Sequence, residues 1–514
     1  MTKRFRRLIA VFTTAITVLG GSALPAMAAP KIAPQGGVTV TTDANLSPEG
    51  AYLKDAGTVQ LTATISSTQL QHMGTDKLYV FALAPYEYLV NIPAEKSPIA
   101  SFEAPAITSD GTRVTVTFDL PQNGLYMKYV LASFNGSGSA AGTYSNLVGP
   151  QGGGYYISNP ELLAGNTKAR VAYPAKAPEG IFANYNIDTK QASPSYFSGS
   201  AKIVQFNNYG NNPTLVNPRA RLQDIHAPWA YDVDKQPFQY MLNAADMNGI
   251  TAMANIMHEV AANGPGQDYI IGNEVNVRKW AYMAYASDKA GDRNADNQYV
   301  REYMQVFRVA YNAIKSADAN ARVFICMDQN WDRNHPASYW EHYCVIDVKD
   351  FLDMFNEQIM MEGNIDWCMA FHPHPVPLTY AKFWANSADY TRLVNQNKMV
   401  TVQNLSVVTD YLSQPGFLNT KGQPRAVIAT EVGFSANQGE DVQGAAVYAA
   451  YAAVVRNPVV ETIVINQDPQ PNINSIFSPK AAEVYANMDG ANGAAYDAWA
   501  KSVIGISDWG QILR

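Results

Sequence analysis

Two parts of the chain differ in how apolar and polar residues alternate. Residues 37–150 contain short runs in which apolar and polar residues take turns, at 37–41, 58–65, 77–82, 113–118 and 125–131. Alternation with a period of two predicts strands with one buried face, and turn residues separate the runs. Several short strands at such spacing predict an all-β, sandwich-like domain over residues 37–150. Since this stretch lacks paired acids and a histidine cluster, we expect it to serve packing or carbohydrate binding.

Residues 179–514 show a second pattern, in which short apolar runs alternate with longer helix-like segments. This alternation predicts βα units and a parallel sheet. Eight candidate strands can be counted, at residues 181–186, 201–206, 250–257, 268–272, 322–327, 365–371, 426–430 and 461–466. Eight strands in about 335 residues predict the α/β fold of a (β/α)8 TIM barrel, which we expect to be the catalytic domain. A glycine- and proline-rich linker over residues 151–178 joins it to the β-domain.

Polar side chains follow nearly every predicted barrel strand. In a parallel barrel the carboxyl ends of the strands meet at one face, where the loops build the active site. Glu274 follows the fourth predicted strand and Glu431 follows the seventh. Hydrolysis of a glycosidic bond requires at least two carboxyl groups at one face, since one protonates the leaving oxygen and the other attacks the anomeric carbon. The sequence therefore predicts a hydrolase with a carbohydrate substrate.

The motif Gly272-Asn273-Glu274 after the fourth strand, with Glu431 at the seventh, resembles the catalytic pattern of the clan A retaining glycoside hydrolases, also called the 4/7 superfamily. The resemblance implies that Glu274 is the acid/base, that Asn273 hydrogen-bonds the sugar 2-hydroxyl and that Glu431 is the nucleophile. As an acid, Glu274 needs a raised pKa, while Glu431 must stay ionised. The whole architecture also resembles a secreted bacterial family described only as a domain of unknown function.

Two departures from the clan A pattern change what is expected of the site. Clan members usually carry a tryptophan at the end of the eighth strand, whereas Asn466 stands here. A catalytically inactive barrel that binds glycans is therefore an alternative function. A tyrosine that positions the nucleophile is common near the sixth strand, and His372 and His374 occupy that place. We expect these histidines to contact the substrate or to take over the tyrosine's task.

Other residues at the predicted strand ends and in the loops are candidates for substrate binding. The polar candidates are Asn207, His258 and Asn466, and the aromatic ones are Trp229 and Trp331, with Trp280 and Trp384 in similar loops. Aromatic rings stack on sugars, but they pack equally well in protein cores, so both roles stay open for the tryptophans.

The histidine pair also permits a metal site. Two histidines two residues apart can share a metal ion, and His258 and Asp468 could be further ligands. A metal-dependent barrel hydrolase is therefore a second alternative. The chain has only seven histidines and lacks a His-Glu-x-x-His motif. We accordingly expect neither a metal nor another cofactor.

The N-terminus predicts export. Four basic residues at positions 3–7 precede an apolar run, and Ala26-Met27-Ala28 fits a cleavage site, so residues 1–28 are predicted to be a signal peptide of a secreted, extracellular protein. No later apolar run is long enough for an integral membrane span. Loss of the four basic residues changes the net charge from −7 to about −11, which argues against nucleic acid as a partner.

The cysteine content argues against disulfide stabilisation. Three cysteines, Cys326, Cys344 and Cys368, are too few for a disulfide framework. Cys326 and Cys368 lie in apolar, strand-like runs, so we expect buried free thiols and no catalytic cysteine.

Overall fold

The computed structural model describes residues 37–514 except for residues 44–47, 67–68, 70–76, 106, 108–109, 136–142, 148–152, 166, 211, 222–238, 279, 283–292, 335–344 and 471–472. The predicted signal peptide, Trp229 and Cys344 lie outside the described residues. Of the helices that are described, none has the length and apolar character needed to cross a membrane.

Residues 38–156 form two antiparallel sheets around a common core. One sheet has the strand order β1-β7-β3-β2 and the other has the order β5-β9-β8-β4-β6, with β10 paired to β8. Side chains of both sheets meet in one hydrophobic cluster, as in a β-sandwich. The strands are β1 (Val38–Thr41), β2 (Gly50–Asp55), β3 (Thr58–Ile65), β4 (Lys77–Leu83), β5 (Asn91–Pro93), β6 (Ala100–Glu103), β7 (Thr112–Asp119), β8 (Lys128–Asn135), β9 (Thr143–Asn146) and β10 (Tyr155–Tyr156).

The rest of the chain forms a mixed α/β unit with one eight-stranded sheet, ordered β12-β11-β13-β14-β15-β16-β17-β18. Neighbouring strands pair in parallel throughout, except that the two-residue β12 runs antiparallel to β11. The described sheet thus has seven parallel strands. The strands are β11 (Phe182–Asn186), β12 (Gln191–Ala192), β13 (Ile203–Asn207), β14 (Asp268–Ile271), β15 (Arg322–Met327), β16 (Trp367–Phe371), β17 (Val427–Val432) and β18 (Val460–Ile465).

Helices separate most of these strands along the chain. Two short ones come first, α1 (Pro194–Phe197) and α2 (Pro218–Arg221). The others are α3 (Met247–Asn263), α4 (Arg293–Ala317), α5 (Val348–Met361), α6 (Ala388–Asn395), α7 (Ser406–Leu412), α8 (Glu440–Arg456), α9 (Pro479–Asn487) and α10 (Gly493–Ile504).

The predicted strand over residues 250–257 is wrong, because this segment lies inside helix α3. Ile250, Met253 and Met257 recur at helical spacing and form the buried face of the helix. The Asp246 side chain begins the helix by accepting a hydrogen bond from the Gly249 backbone nitrogen at 2.9 Å. Glu274 therefore follows the third parallel strand and Glu431 lies in the sixth, but the interval of three strands between them is unchanged.

The two faces of the parallel sheet have different neighbours. Side chains on one face pack against the helices in the largest hydrophobic core. Alternate side chains on the other face gather in a separate cluster that includes Ile203 of β13, Phe324 and Cys326 of β15, and Ile428 of β17. The segment ahead of β11 also belongs here, since Ala177 N donates to Ile463 O of β18 at 3.0 Å. The sheet is therefore curved, and its second face carries an apolar cluster of its own.

A buried ion pair joins the antiparallel sheets to the helices. Lys128 of β8 is fully buried, and its Nζ lies 3.8 Å from Oε1 of Glu362, the residue after α5. The same Nζ lies 3.3 Å from the centre of the Tyr88 ring. Burial lowers the pKa of Lys128 to about 8, although the charge of Glu362 opposes this effect.

Replacing Lys128 with methionine should lower the free energy of unfolding by about 3–5 kcal/mol at pH 7, because Glu362 is left buried without its cation. The double variant Lys128→Met/Glu362→Gln should recover most of that loss. Since the pKa of lysine is about 10.4 in an unfolded chain, the unfolded state binds more protons than the folded state above about pH 8. The wild-type free energy of unfolding should therefore rise between pH 8 and 10 relative to the double variant. Urea denaturation at pH 7 and pH 9 measures both effects, and equal stability of the single and double variants would contradict the prediction.

Candidate active site

Glu274 is held at the carboxyl end of β14 by an unusual backbone conformation. Gly272 ends the buried strand with a φ of +83°, and Glu274 itself has a φ of +38°. A side chain other than glycine rarely adopts the left-handed region, and such strain is concentrated at functional sites. Two hydrogen bonds fix the turn, from Val277 N to Glu274 O at 2.7 Å and from Val275 N to Cys326 O at 2.9 Å. The turn thus places the Glu274 carboxylate above the end of the sheet.

His372 brings the two predicted catalytic carboxylates together. Its Nδ1 donates to Glu274 Oε1 at 2.9 Å and lies 3.6 Å from Glu431 Oε2. Because both oxygens approach the same nitrogen, they are at most 6.5 Å apart. Glu431 also lies beside the second histidine, with 3.7 Å between its Oε1 and His374 Nε2. The ends of strands β14, β16 and β17 therefore meet in one cluster of Glu274, Glu431, His372 and His374.

The pKa of Glu274 is lowered, whereas its expected role as the acid requires a raised pKa. Burial raises its pKa, but the hydrogen bond and the charge of His372 outweigh burial and lower it below the ordinary value. His372 shifts in the opposite direction, since the neighbouring Cys326 sulfur, Glu431 and Glu274 outweigh burial and raise its pKa well above its ordinary value. The expected raised pKa of Glu274 is thus wrong for the free protein, because the proton of this pair resides on His372. For His374, by contrast, burial lowers the pKa and favours the neutral ring.

A third carboxyl group, which the sequence analysis did not single out, interacts electrostatically with Glu274. Asp328 follows β15 and accepts hydrogen bonds from Asn276 Nδ2 at 2.8 Å and from the Asn330 backbone nitrogen at 2.8 Å. Asn330 Nδ2 donates to its other oxygen. Burial and the charge of Glu274 still raise the pKa of Asp328 to about 7. This side chain therefore shares the electrostatic environment of Glu274.

Asn273 and His372 rest on a buried polar layer beneath the carboxylates. Gln205 of β13 donates from Nε2 to Asn273 Oδ1 at 2.9 Å and to Gly272 O at 3.0 Å. Cys326 lies beside it, with its sulfur 3.3 Å from His372 Nε2. Cys326 and Cys368 are both buried free thiols, as the sequence predicts.

The other residues predicted to bind substrate lie in different parts of the structure, some at strand ends and one in the core. Asn207 ends β13 and donates from Nδ2 to Asn184 Oδ1 at 2.9 Å, at the same end of the sheet as the cluster. Asn466 follows β18 and is half-buried, and its backbone nitrogen donates to Val432 O. Trp331 is buried and packs edge-on against Tyr411, so it is a core residue.

His258 does not belong to the site. It lies in α3, where its Nδ1 is 3.2 Å from Ala313 O and 3.3 Å from Ser316 Oγ of α4. Its assignment to the barrel mouth was wrong because the segment before it is a helix and not a strand.

Two aromatic residues near the carboxylates stand out in the structure. Trp280 hydrogen-bonds the Glu274 carboxylate. Tyr209 follows β13 and is 48 % exposed, and its pKa is raised by partial burial and by the negative charge of Glu431. A strand-end position was the only signal for Tyr209 in the sequence, and many other residues share that signal.

Three of the clustered side chains could together hold a metal ion. One donor atom each from Glu274, His372 and His374 lie within 4.8 Å of one another. Two imidazoles and a carboxylate suit zinc and related ions. His258 and Asp468 are not members of this group.

Comparison with known proteins identifies the family. Residues 184–512 match the family of unknown function DUF5722. The chain belongs to this family. The matched DUF5722 region contains Glu274, Glu431, His372 and His374. No curated protein matches the chain.

Several solved structures have a distant likeness to this DUF5722 protein. A family 39 glycoside hydrolase from Bacteroides cellulosilyticus WH2 is 12% identical, with 85% of this chain and 82% of that chain covered and a TM-score of 0.35. A GH128 (subgroup II) endo-β-1,3-glucanase from Sorangium cellulosum is 11% identical over 63% of this chain and 100% of its own, with a TM-score of 0.31. An endo-1,4-β-mannanase from Rhizomucor miehei is 14% identical over 59% and 73%, with a TM-score of 0.30. At these values the likeness carries no argument about activity.

Proposed function

We propose that the protein is a secreted, retaining glycoside hydrolase that cleaves an oligo- or polysaccharide with Glu274 and Glu431. The observation that carries the proposal is the approach of both carboxylates to one imidazole nitrogen, at the carboxyl ends of parallel strands. The resulting limit of 6.5 Å between the two oxygens accommodates the separation of about 5–5.5 Å that retaining enzymes need. Inverting enzymes hold their carboxyl groups about 6.5–9.5 Å apart to admit a water, so we base retention on the likeness to the clan A pattern and test it by the anomer of the first product.

The hydrogen bond between His372 and Glu274 allows a division of roles. In the free enzyme the Glu274–His372 pair carries one proton, which resides on His372 and is one hydrogen bond away from Glu274. In the first step Glu431 attacks the anomeric carbon, the bond to the leaving oxygen breaks, and that oxygen takes the proton of the pair through Glu274. In the second step a water attacks the anomeric carbon, its proton returns to the pair, and the bond to Glu431 breaks.

The neighbouring residues support substrate binding in this position. Gln205 occupies the Asn273 oxygen, which directs the amide so that its nitrogen can donate to a sugar 2-hydroxyl. Asn207 and Tyr209 lie at the end of the adjacent strand β13. The exposed ring of Tyr209 can stack on a sugar face. Asn207, Asn273 and the two histidines are the side chains that we assign to binding.

We infer that the curved sheet closes into a barrel of the clan A type. The parallel pairing of Lys176 with Ile463 supports closure, because it lays the segment before β11 against the last strand. The interval of three strands between Glu274 and Glu431 equals the interval in the 4/7 pattern. The N-terminal basic and apolar segment supports export through the secretory pathway.

A panel of polysaccharides and aryl glycosides tests the proposal by measuring released reducing ends. We expect hydrolysis, and ¹H NMR of the first product should reveal the same anomeric configuration as the substrate. Glu259→Gln, which changes an exposed carboxylate on α3, is the matched control and should keep full activity. Release of the opposite anomer would overturn retention. Glycan binding without any product would instead favour an inactive binding protein.

A metal-dependent hydrolase is the second candidate, because Glu274, His372 and His374 form a possible ligand set. A bound divalent ion could polarise a substrate oxygen or activate a water there. Elemental analysis of the purified protein and dialysis against a chelator separate the two candidates. The glycosidase proposal requires that activity survive removal of the ion.

A further inference from the structure

His372 is fixed on the side away from the carboxylates by a cysteine. While Nδ1 faces Glu274 and Glu431, Nε2 lies 3.3 Å from the sulfur of Cys326. Both Cys326 and His372 are almost completely buried, at 0% and 1% exposure. A buried protonated imidazole has two N–H donors, and each needs an acceptor within the protein. The Cys326 sulfur is the acceptor in reach of the second donor.

The sheet register explains why these two side chains meet. Cys326 of β15 pairs with Ala370 of β16, and His372 lies two residues further along the same face. The His372 backbone nitrogen donates to Met327 O at 2.9 Å, which keeps β15 and β16 paired beyond the last strand residue. Cys326 is therefore the last inward-facing side chain of β15 below the site. Gln205 Nε2 approaches the same sulfur at 3.9 Å and connects it to Asn273.

We infer that Cys326 is a positioning residue of the proposed glycosidase, whose sulfur holds the His372 ring so that Nδ1 is directed at the two carboxylates. Cys326 does not touch the substrate. Its removal leaves the carboxylates in place but takes away the acceptor for His372 Nε2. The ring then loses its hydrogen bond on the Nε2 side, and Nδ1 is held less firmly toward Glu274 and Glu431.

The kinetic test compares kcat and KM in three variants and the wild type. Cys326→Ala should lower kcat about tenfold and leave KM nearly unchanged, the size expected for one lost hydrogen bond that positions a reacting group. Cys326→Ser keeps a hydrogen-bonding atom and should retain the wild-type kcat. Cys368→Ala is the matched control, because Cys368 is a buried thiol on the neighbouring strand whose sulfur contacts Asp366 O and not His372. If Cys326→Ala does not fold, Cys326→Val fills the volume without accepting a hydrogen bond.

A second readout is independent of the proposed function. Selective ¹⁵N labelling of histidine in the full-length protein follows the ring nitrogens of His372 by NMR, and His372→Gln assigns the signals. At one fixed pH we expect the ¹⁵N signal of His372 Nε2 to move in Cys326→Ala and to stay close to its wild-type position in Cys326→Ser and Cys368→Ala. An unchanged Nε2 signal in Cys326→Ala would overturn the inference. Failure to hydrolyse any glycan would remove the proposed function, and the NMR comparison would still decide the role of Cys326.

Discussion

Glu431→Ala is expected to abolish the hydrolysis of every glycoside, whatever its leaving group. Without the carboxylate no glycosyl-enzyme intermediate can form, and removal of a nucleophile typically costs roughly 10⁴- to 10⁶-fold in kcat. The position of Glu431 supports this role. It lies in β17, two residues before Gly433, and its side chain is 36% exposed at the mouth. Turnover of aryl glycosides with good and poor leaving groups measures the loss, which should be equally severe for both.

Adding azide to the Glu431→Ala variant tests whether Glu431 is the nucleophile. A small anion can occupy the space of the missing carboxylate and attack the anomeric carbon directly, while Glu274 still assists the leaving group. The product should be a glycosyl azide of inverted configuration. Glu259→Ala serves as the matched control, and thermal denaturation should show that Glu431→Ala is folded. A retained glycosyl azide would exchange the roles of the two glutamates, and full activity of the variant would end the proposal.

The strands that carry the site could be predicted because each is an apolar run closed by a distinctive polar end. For this reason the strands predicted at residues 268–272 and 322–327 coincide closely with β14 and β15. The strand predicted at residues 250–257 is wrong because a short, mostly apolar run can belong to a buried strand or to a buried helix, and the spacing of Ile250, Met253 and Met257 is helical. An error of one strand left the three-strand interval intact, so the pairing of Glu274 with Glu431 did not depend on the exact count.

The protonation of the site could not be predicted from local sequence. Glu274 and His372 are 98 residues apart in the chain, and only the sheet brings Nδ1 within 2.9 Å of the carboxylate. The hydrogen bond and charge of His372, with smaller contributions from His374 and Trp280, reverse the direction in which burial would shift the pKa of Glu274. Asp328 and Cys326 were missed for the same reason, since their importance comes from neighbours on other strands. His372 and His374 were identified because their position in the chain could be compared with a known pattern.

Glu274→Ala is expected to slow the hydrolysis of some substrates much more than others, unlike Glu431→Ala. Loss of a general acid usually costs about 10²–10⁴ in rate, but a leaving group that departs as a stable anion needs little protonation. Hydrolysis of natural glycans should therefore fall by that factor, whereas formation of the glycosyl-enzyme from a dinitrophenyl glycoside should be nearly unchanged. Since His372 carries the proton in the free enzyme, the wild type should keep its activity at neutral pH and lose it as the pH rises through the raised pKa of His372.

The variant Glu274→Ala should lose that alkaline limb on the activated substrate, because the step that needs the proton is bypassed. Azide should accelerate its second step and give a glycosyl azide of retained configuration, since Glu431 is still present to form the intermediate. Two outcomes would count against the assignment of Glu274. One is an equal loss on activated and natural substrates, which would indicate a structural role at the strained turn. The other is an inverted glycosyl azide, which would make Glu274 the nucleophile and Glu431 the acid.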